Sequence, residues 1–354
     1  MYETSISISS YINLRKFLNL NINDIGIFDI IQQLPIIEDD LLKLLGADVK
    51  GVYCEHSSKW KLNINEENGY NTFMDEWGVR WFMPKKKGFY YDARFHPLHE
   101  LTFEEIKRYQ FPDFTDKAKY KNLRKKALKI RDEKYALVSG AGAGILYQCQ
   151  LLRGTEKYFI DMAADKRLAE YLLDRVTESI CTAWEFLLKE IGDLIDIAYT
   201  GDDLASQDST FISLDMYRNI LKPRQKKIIS TIKKYTDAKI LYHSCGSIYS
   251  FIPELIDIGV DILNPIQVSA KNMDTKKLKI EFGRDIVFWG GGCDTQHILP
   301  YGTIEEAELE VKKRIEDLAI DGGFVFNQVH NIQAQVPPEN IMAMYNTLKK
   351  NWWY

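Results

Sequence analysis

Ala238-Lys239-Ile240-Leu241-Tyr242-His243-Ser244-Cys245-Gly246-Ser247 is a largely apolar run that passes directly into His-x-Cys-Gly. Such a run suits a buried strand, and side chains along a strand alternate between its two faces. His243 and Cys245 therefore share a face, roughly 6.5–7 Å apart along the backbone. An imidazole and a thiolate converging at one strand end make half a zinc site, because zinc favours nitrogen and sulfur ligands. Gly246 allows the sharp turn that follows. A cysteine by itself commonly packs as a small hydrophobe, and a lone histidine is often a satisfied core residue. The pair needs partners before it defines a site.

Those partners are sought in the pattern around the run. From residue 135 onward, apolar stretches ending in small or polar residues alternate with amphipathic helical patterns. The stretches cover residues 135–140, 196–203, 239–245, 261–266, 285–290 and 323–330, with Val49 to Cys54 as an earlier member. Strands alternating with helices predict a parallel sheet, and continuously apolar strands predict one covered on both faces. Ser213 and Thr303 stand where helix N-caps belong. The fold class this implies is α/β, a TIM-type (β/α)8 barrel with an incomplete or atypical first strand, because seven strands are counted where a barrel has eight. An open doubly wound sheet is the competitor. Gly140-Ala-Gly142-Ala-Gly144 lacks the spacing and the downstream acid of a dinucleotide fingerprint, so those glycines read as a close-approach loop at a pocket rim.

A seven-stranded barrel leaves edges with unpaired backbone groups. Ser5-Ile-Ser-Ile-Ser9 alternates polar and apolar residues and is expected to fill the gap. The alternatives are a covering partner chain, a homodimer in the simplest case, or a natural chain longer at its start. Residues 9–46 read as two helices, the second closed by Gly46. An aromatic β-hairpin insertion is expected at about 67–95, with Trp77 to Phe82 and Phe89 to Tyr91 flanking a lysine-rich turn. No linker or low-complexity segment divides residues 1–354, which are read as one domain.

Composition bounds the remaining possibilities. The 354 residues are 45% hydrophobic and 27% charged, ordinary for a globular chain with a large core. A net charge of -4 offers no electrostatic footprint for nucleic acid or anionic membrane. No apolar run reaches the roughly 18–20 residues of a membrane span, and Met1 to Ser5 lacks the pattern of a signal peptide. Five scattered cysteines suit reduced thiols and a cytoplasmic location.

Strand ends supply the candidate site, since a barrel gathers chemistry at its C-terminal rim. Gly290-Gly291-Gly292 leads into Cys293-Asp294, and the last strand ends in His330. His243, Cys245, Cys293 and His330 are the predicted metal ligands. Asp203 and Asp294 are the candidate acids or bases. Asp202 neighbours Asp203 and should face the other way. Gln207, Asn264, Gln267, Asn327 and Tyr147 are candidate substrate contacts.

These residues also carry a resemblance. Gly201-Asp-Asp-Leu, Tyr242-His-Ser-Cys-Gly-Ser247, Gly291-Gly-Cys-Asp-Thr-Gln296 and Val329-His-Asn-Ile-Gln333, followed by Val336-Pro-Pro-Glu-Asn-Ile341, resemble the uroporphyrinogen decarboxylase superfamily over roughly residues 40–350. The likeness is closer to its zinc-dependent corrinoid methyltransferases, such as methylcobalamin:coenzyme M methyltransferase. That branch uses His-x-Cys with a distal Cys on a (β/α)8 barrel, and here the distal position is occupied by His330. The decarboxylase proper carries an arginine-rich N-terminal motif, which has no match here. The resemblance implies Zn2+ and a corrinoid (cobalamin) carried by a partner protein, with a small-molecule methyl donor or acceptor. The expected activity is methyl transfer between that corrinoid protein and a thiol or similar acceptor. The alternatives are a decarboxylase-like lyase assisted by an acid such as Asp203, and a non-catalytic corrinoid- or tetrapyrrole-binding subunit.

Overall fold

The computed structural model describes residues 5–142 and 144–352. Ala143 of the glycine-rich loop and residues 1–4 of the chain start lie outside the described residues. Seven parallel strands form one sheet in sequential order: β1 Val49–Gly51, β2 Ala136–Gly140, β3 Ile197–Gly201, β4 Lys239–His243, β5 Ile262–Asn264, β6 Val287–Trp289 and β7 Phe324–Val325. Every stretch read from the sequence as a strand of this sheet is one, although each is shorter than its apolar run. Helices cover the connections, and the arrangement is a TIM-type barrel.

Side-chain alternation divides the core in two. Val138, Ile197, Tyr199, Leu241, Ile262 and Trp289 pack together on one face of the sheet, filling the barrel interior. Leu137, Ala198, Ile240, Tyr242, Leu263 and Phe288 belong to the larger cluster beneath the helices. Burying each large aliphatic side chain stabilises the fold by about 1.5–3 kcal/mol. The two-sided demand for apolar residues is why these strands carry no polar alternation.

The helices follow the local signals with adjustments. Ser213 Oγ accepts from Met216 N, and Thr303 with Glu306 forms a capping box at the start of Ile304–Leu318. Gly46 closes Asp39–Leu45 in the left-handed conformation, with φ 78°. The long helical pattern from Glu156 to Leu194 is interrupted. Helix Thr155–Ala164 stops at Asp165, whose carboxylate caps the following helix Lys166–Ile191 by accepting from Leu168 N. The aromatic insertion is larger than a hairpin. It is a four-stranded antiparallel meander, Asn65–Glu67, Tyr70–Met74, Arg80–Pro84 and Asp92–Phe95. Trp77 lies in the Asp75–Val79 turn, which Asp75 organises by accepting from Trp77 N and Val79 N.

The N-terminal segment reaches the barrel beyond β7 rather than forming a full strand. Ile6 makes an isolated parallel bridge to Ile332, with Ser7 N donating to Ile332 O at 2.8 Å and Ile332 N to Ser5 O at 2.9 Å. Helix Ile8–Phe17 begins immediately afterwards, capped by Ser7, so the pairing is brief. Among the described residues no helix is long and apolar enough to cross a membrane.

Candidate metal centre

Strands β3, β4 and β5 bring Gly201, His243 and Asn264 into register at the end of the sheet. His243 follows Leu241 on the inward face and so points into the barrel mouth. Cys245, two residues further, does the same. Its Sγ lies 3.5 Å from His243 Nε2. The chain after β7 returns His330 to the same place, with its ring 6.2 Å from that of His243, centroid to centroid. One ligand atom from each of His243, Cys245 and His330 falls within 4.8 Å of the others.

Asn264 settles which nitrogen of His243 faces this cluster. Asn264 Nδ2 donates to the Trp289 carbonyl at 2.9 Å, so its Oδ1 is the atom facing His243 Nδ1 at 2.7 Å. An amide oxygen only accepts, and Nδ1 must therefore carry the proton. In the neutral ring Nε2 then turns its lone pair towards Cys245, which is the tautomer a metal needs. Burial pulls His330 down to about 4 and keeps it neutral at physiological pH.

The donor set fits zinc. With Zn–N near 2.1 Å and Zn–S near 2.3 Å, a tetrahedral N–S edge is about 3.6 Å, close to the 3.5 Å between His243 Nε2 and Cys245 Sγ. Three protein ligands would leave the fourth tetrahedral position to water or substrate.

Cys293 corrects the predicted ligand set. It is fully buried in a separate apolar cluster with Ile6, Tyr11, Leu14, Leu299 and Met344, and burial pushes its thiol well above the ordinary range. The preceding Gly290 and Gly291 adopt φ 103° and 75°, which ends the strand alternation and turns Cys293 away from the mouth. Asp294 is likewise committed elsewhere. It is buried, and it accepts from Gln296 N at 2.8 Å and from His297 Nδ1 at 2.9 Å within its own loop.

The remaining polar residues divide between mouth and scaffold. Asp203 is half exposed, accepts from Cys245 N at 2.8 Å and lies 3.9 Å from His243 Nε2. Its neighbour Asp202 turns the other way, as adjacency requires. Asp202 is buried beneath helix Ile145–Arg153 and accepts from Leu146 N at 2.8 Å and Tyr147 N at 2.9 Å. Burial pushes it up to about 7 against those hydrogen bonds. Tyr147 gives its N–H to that cap and has an exposed side chain. Asn327 accepts from Gly292 N through its carbonyl at 2.8 Å. Asn264, expected as a substrate contact, spends its amide on His243 and Trp289. Gln207 and Gln267 bond to each other and to the backbone. The signal for Asn264 was its place one strand over from His243, which depends on sheet register.

A half-buried N/S donor cluster at the mouth of a parallel barrel defines the class, and comparison with known proteins supplies the family. Residues 77–351 match the family model described as Uroporphyrinogen decarboxylase (URO-D), and the chain belongs to that family. Among solved structures, a methyltransferase from Methanosarcina mazei shares 16% identity and superposes with a TM-score of 0.60, over 99% of this chain and 100% of that one. At this identity the likeness concerns the fold. A β-glycosidase from Thermosphaera aggregans matches at 10% identity and a TM-score of 0.39, over 87% of this chain and 84% of that one, which carries no argument.

Proposed function

We propose that this protein is a zinc-dependent methyltransferase of the URO-D family, moving a methyl group between a partner-borne corrinoid and a thiol or similar acceptor. The observation that carries this reading is the convergence of His243 Nε2, Cys245 Sγ and His330 at the barrel mouth, with Asn264 selecting the ligating tautomer. His243, Cys245 and His330 would hold the ion. Zinc there would supply a Lewis acid that lowers the pKa of an acceptor thiol. The Asp203 carboxylate, 3.9 Å from His243 Nε2, supports a role as acceptor of the thiol proton. Leu241 and Trp289 pack in the barrel interior and give the mouth an apolar wall. In this reading a partner-borne corrinoid would supply the methyl group and keep the bonding electron pair, while His243, Cys245 and His330 would hold the metal at which the acceptor sulfur binds. Among the described residues the five cysteines form no disulfide, which supports a reducing, cytoplasmic setting.

The test pairs metal analysis of the purified chain with thiol-dependent demethylation of methylcobalamin, followed by its visible spectrum. Close to one zinc per chain, with demethylation abolished in Cys245→Ser, is the expected result. A wild-type chain that takes up no zinc overturns the proposal.

A further inference from the structure

The turn that carries Cys245 is held at two consecutive amides. Cys245 N donates to Asp203 Oδ1 at 2.8 Å, and Gly246 N donates to Gln267 Oε1 at 2.7 Å. Gln267 Nε2 in turn donates to Gln207 Oε1 at 2.5 Å, and Gln207 Nε2 donates to the Ser269 carbonyl at 2.7 Å. Both ends of this chain are unambiguous, because a backbone N–H only donates and a carbonyl only accepts. The orientations of both glutamine amides follow from those ends.

Neighbouring loops clamp the same turn. Ser244 N donates to Asn264 O at 2.7 Å, and Ser247 N donates to Ser206 O at 2.9 Å. Gly246 has φ 91°, and a Cβ there would strike the carbonyl oxygens of Ala205 and Ser206. The loops after β3 and β5 thus grip the end of β4 from both sides. A thiol on a loose turn wanders relative to its co-ligands, whereas one on a braced turn is held where a metal needs it.

We propose that Gln267, backed by Gln207, is a positioning residue for the Cys245 ligand, holding Sγ at the separation from His243 Nε2 that a thiophilic divalent cation requires. This rests on the metal reading above. The glutamines act on the Cys245 turn through the Gly246 amide.

Cobalt(II) is the probe, titrated into the full chain and read by its thiolate-to-cobalt charge-transfer band and by competition with a chelator. Gln267→Leu is expected to bind cobalt about 10-fold more weakly, with a weakened or shifted band. Gln267→Glu keeps an oxygen for Gly246 N but gives up the donor to Gln207 Oε1, and is expected to recover part of the lost affinity and the position of the band. Gln207→Leu, one hydrogen bond further out, is expected to show a smaller loss in the same direction. A folded Gln267→Leu with the affinity and band of the unsubstituted chain overturns the assignment and leaves the metal reading intact. If Gln267→Leu does not fold, an unchanged affinity in Gln207→Leu overturns it instead. An unsubstituted chain that binds neither cobalt nor zinc overturns the metal reading and this inference with it.

Discussion

Asn264 Oδ1 sits 2.7 Å from His243 Nδ1, while the other end of the same amide is tied to the Trp289 carbonyl. The barrel wall therefore dictates the protonation pattern of the imidazole at its mouth. Leucine in place of Asn264 keeps the volume but frees the ring to rotate and to choose either tautomer. Asn264→Leu is expected to lower zinc affinity by roughly 10–100-fold, measured by competition with a chelator. Wild-type affinity in this variant would remove the tautomer lock from the account.

The two cysteines at strand ends differ sharply. Cys245→Ser, His243→Ala and His330→Ala should each lose bound zinc, whereas Cys293→Ser should keep it. Its cost falls on stability instead, about 1–3 kcal/mol for a hydroxyl placed among apolar groups. Metal content and thermal melting on the same samples separate the two effects. Zinc loss in Cys293→Ser would restore it as a ligand.

Acid sensitivity in the metal-free chain should show two opposed contributions. His330 has a native pKa near 4, below its ordinary 6.5, so its contribution is present above pH 6.5 and fades as pH falls through 4. Asp202 has a native pKa near 7, above its ordinary 3.8, so its contribution is present below 3.8 and fades as pH rises through 7. Each is worth about 3–4 kcal/mol by linkage, and between pH 4 and 6.5 their slopes partly cancel. Asp202→Asn should therefore melt with a steeper rise across that interval than wild type. His330→Gln should tilt the other way. Parallel melting curves in all three proteins would refute the assignment.

The N-terminal segment is expected to contribute measurably to stability. Removing residues 1–7 deletes the Ile6 bridge, the buried Ile6 side chain and the hydrogen bonds of Ser5 and Ser7 to Ile332. It also releases Asn331 Oδ1 and Gln328 Nε2, which bond to Ser5 beside His330. A loss of about 3 kcal/mol or more should lower the melting temperature by about 4 °C or more in a chain of this size. A shift of about 1 °C or less would mean that the segment does not secure the barrel at this edge.

The barrel was legible in the sequence because its causes are local and repetitive. Buried parallel strands need continuous apolar runs, helices need their caps at Ser213 and Thr303, and both are written residue by residue. The shared face of His243 and Cys245 was legible for the same reason, since they stand on or just past one regular strand. The third ligand was not settled that way. Cys293 and His330 both follow strand ends, and both were predicted to bind. The period-two alternation that assigns a side chain to a face lasts only while the strand does. Past Gly290 and Gly291 that parity is lost, and packing against the N-terminal helix takes Cys293 into the apolar cluster. His330 is returned to the mouth by the contacts of residues 328–333 with Ser5 to Ser10, which span more than 300 positions of sequence. The amides of Gln207, Asn264 and Gln267 show the same limit. Their residue types indicated hydrogen bonding at the rim, but only the register of β3, β4 and β5 decided that their partners are the protein itself.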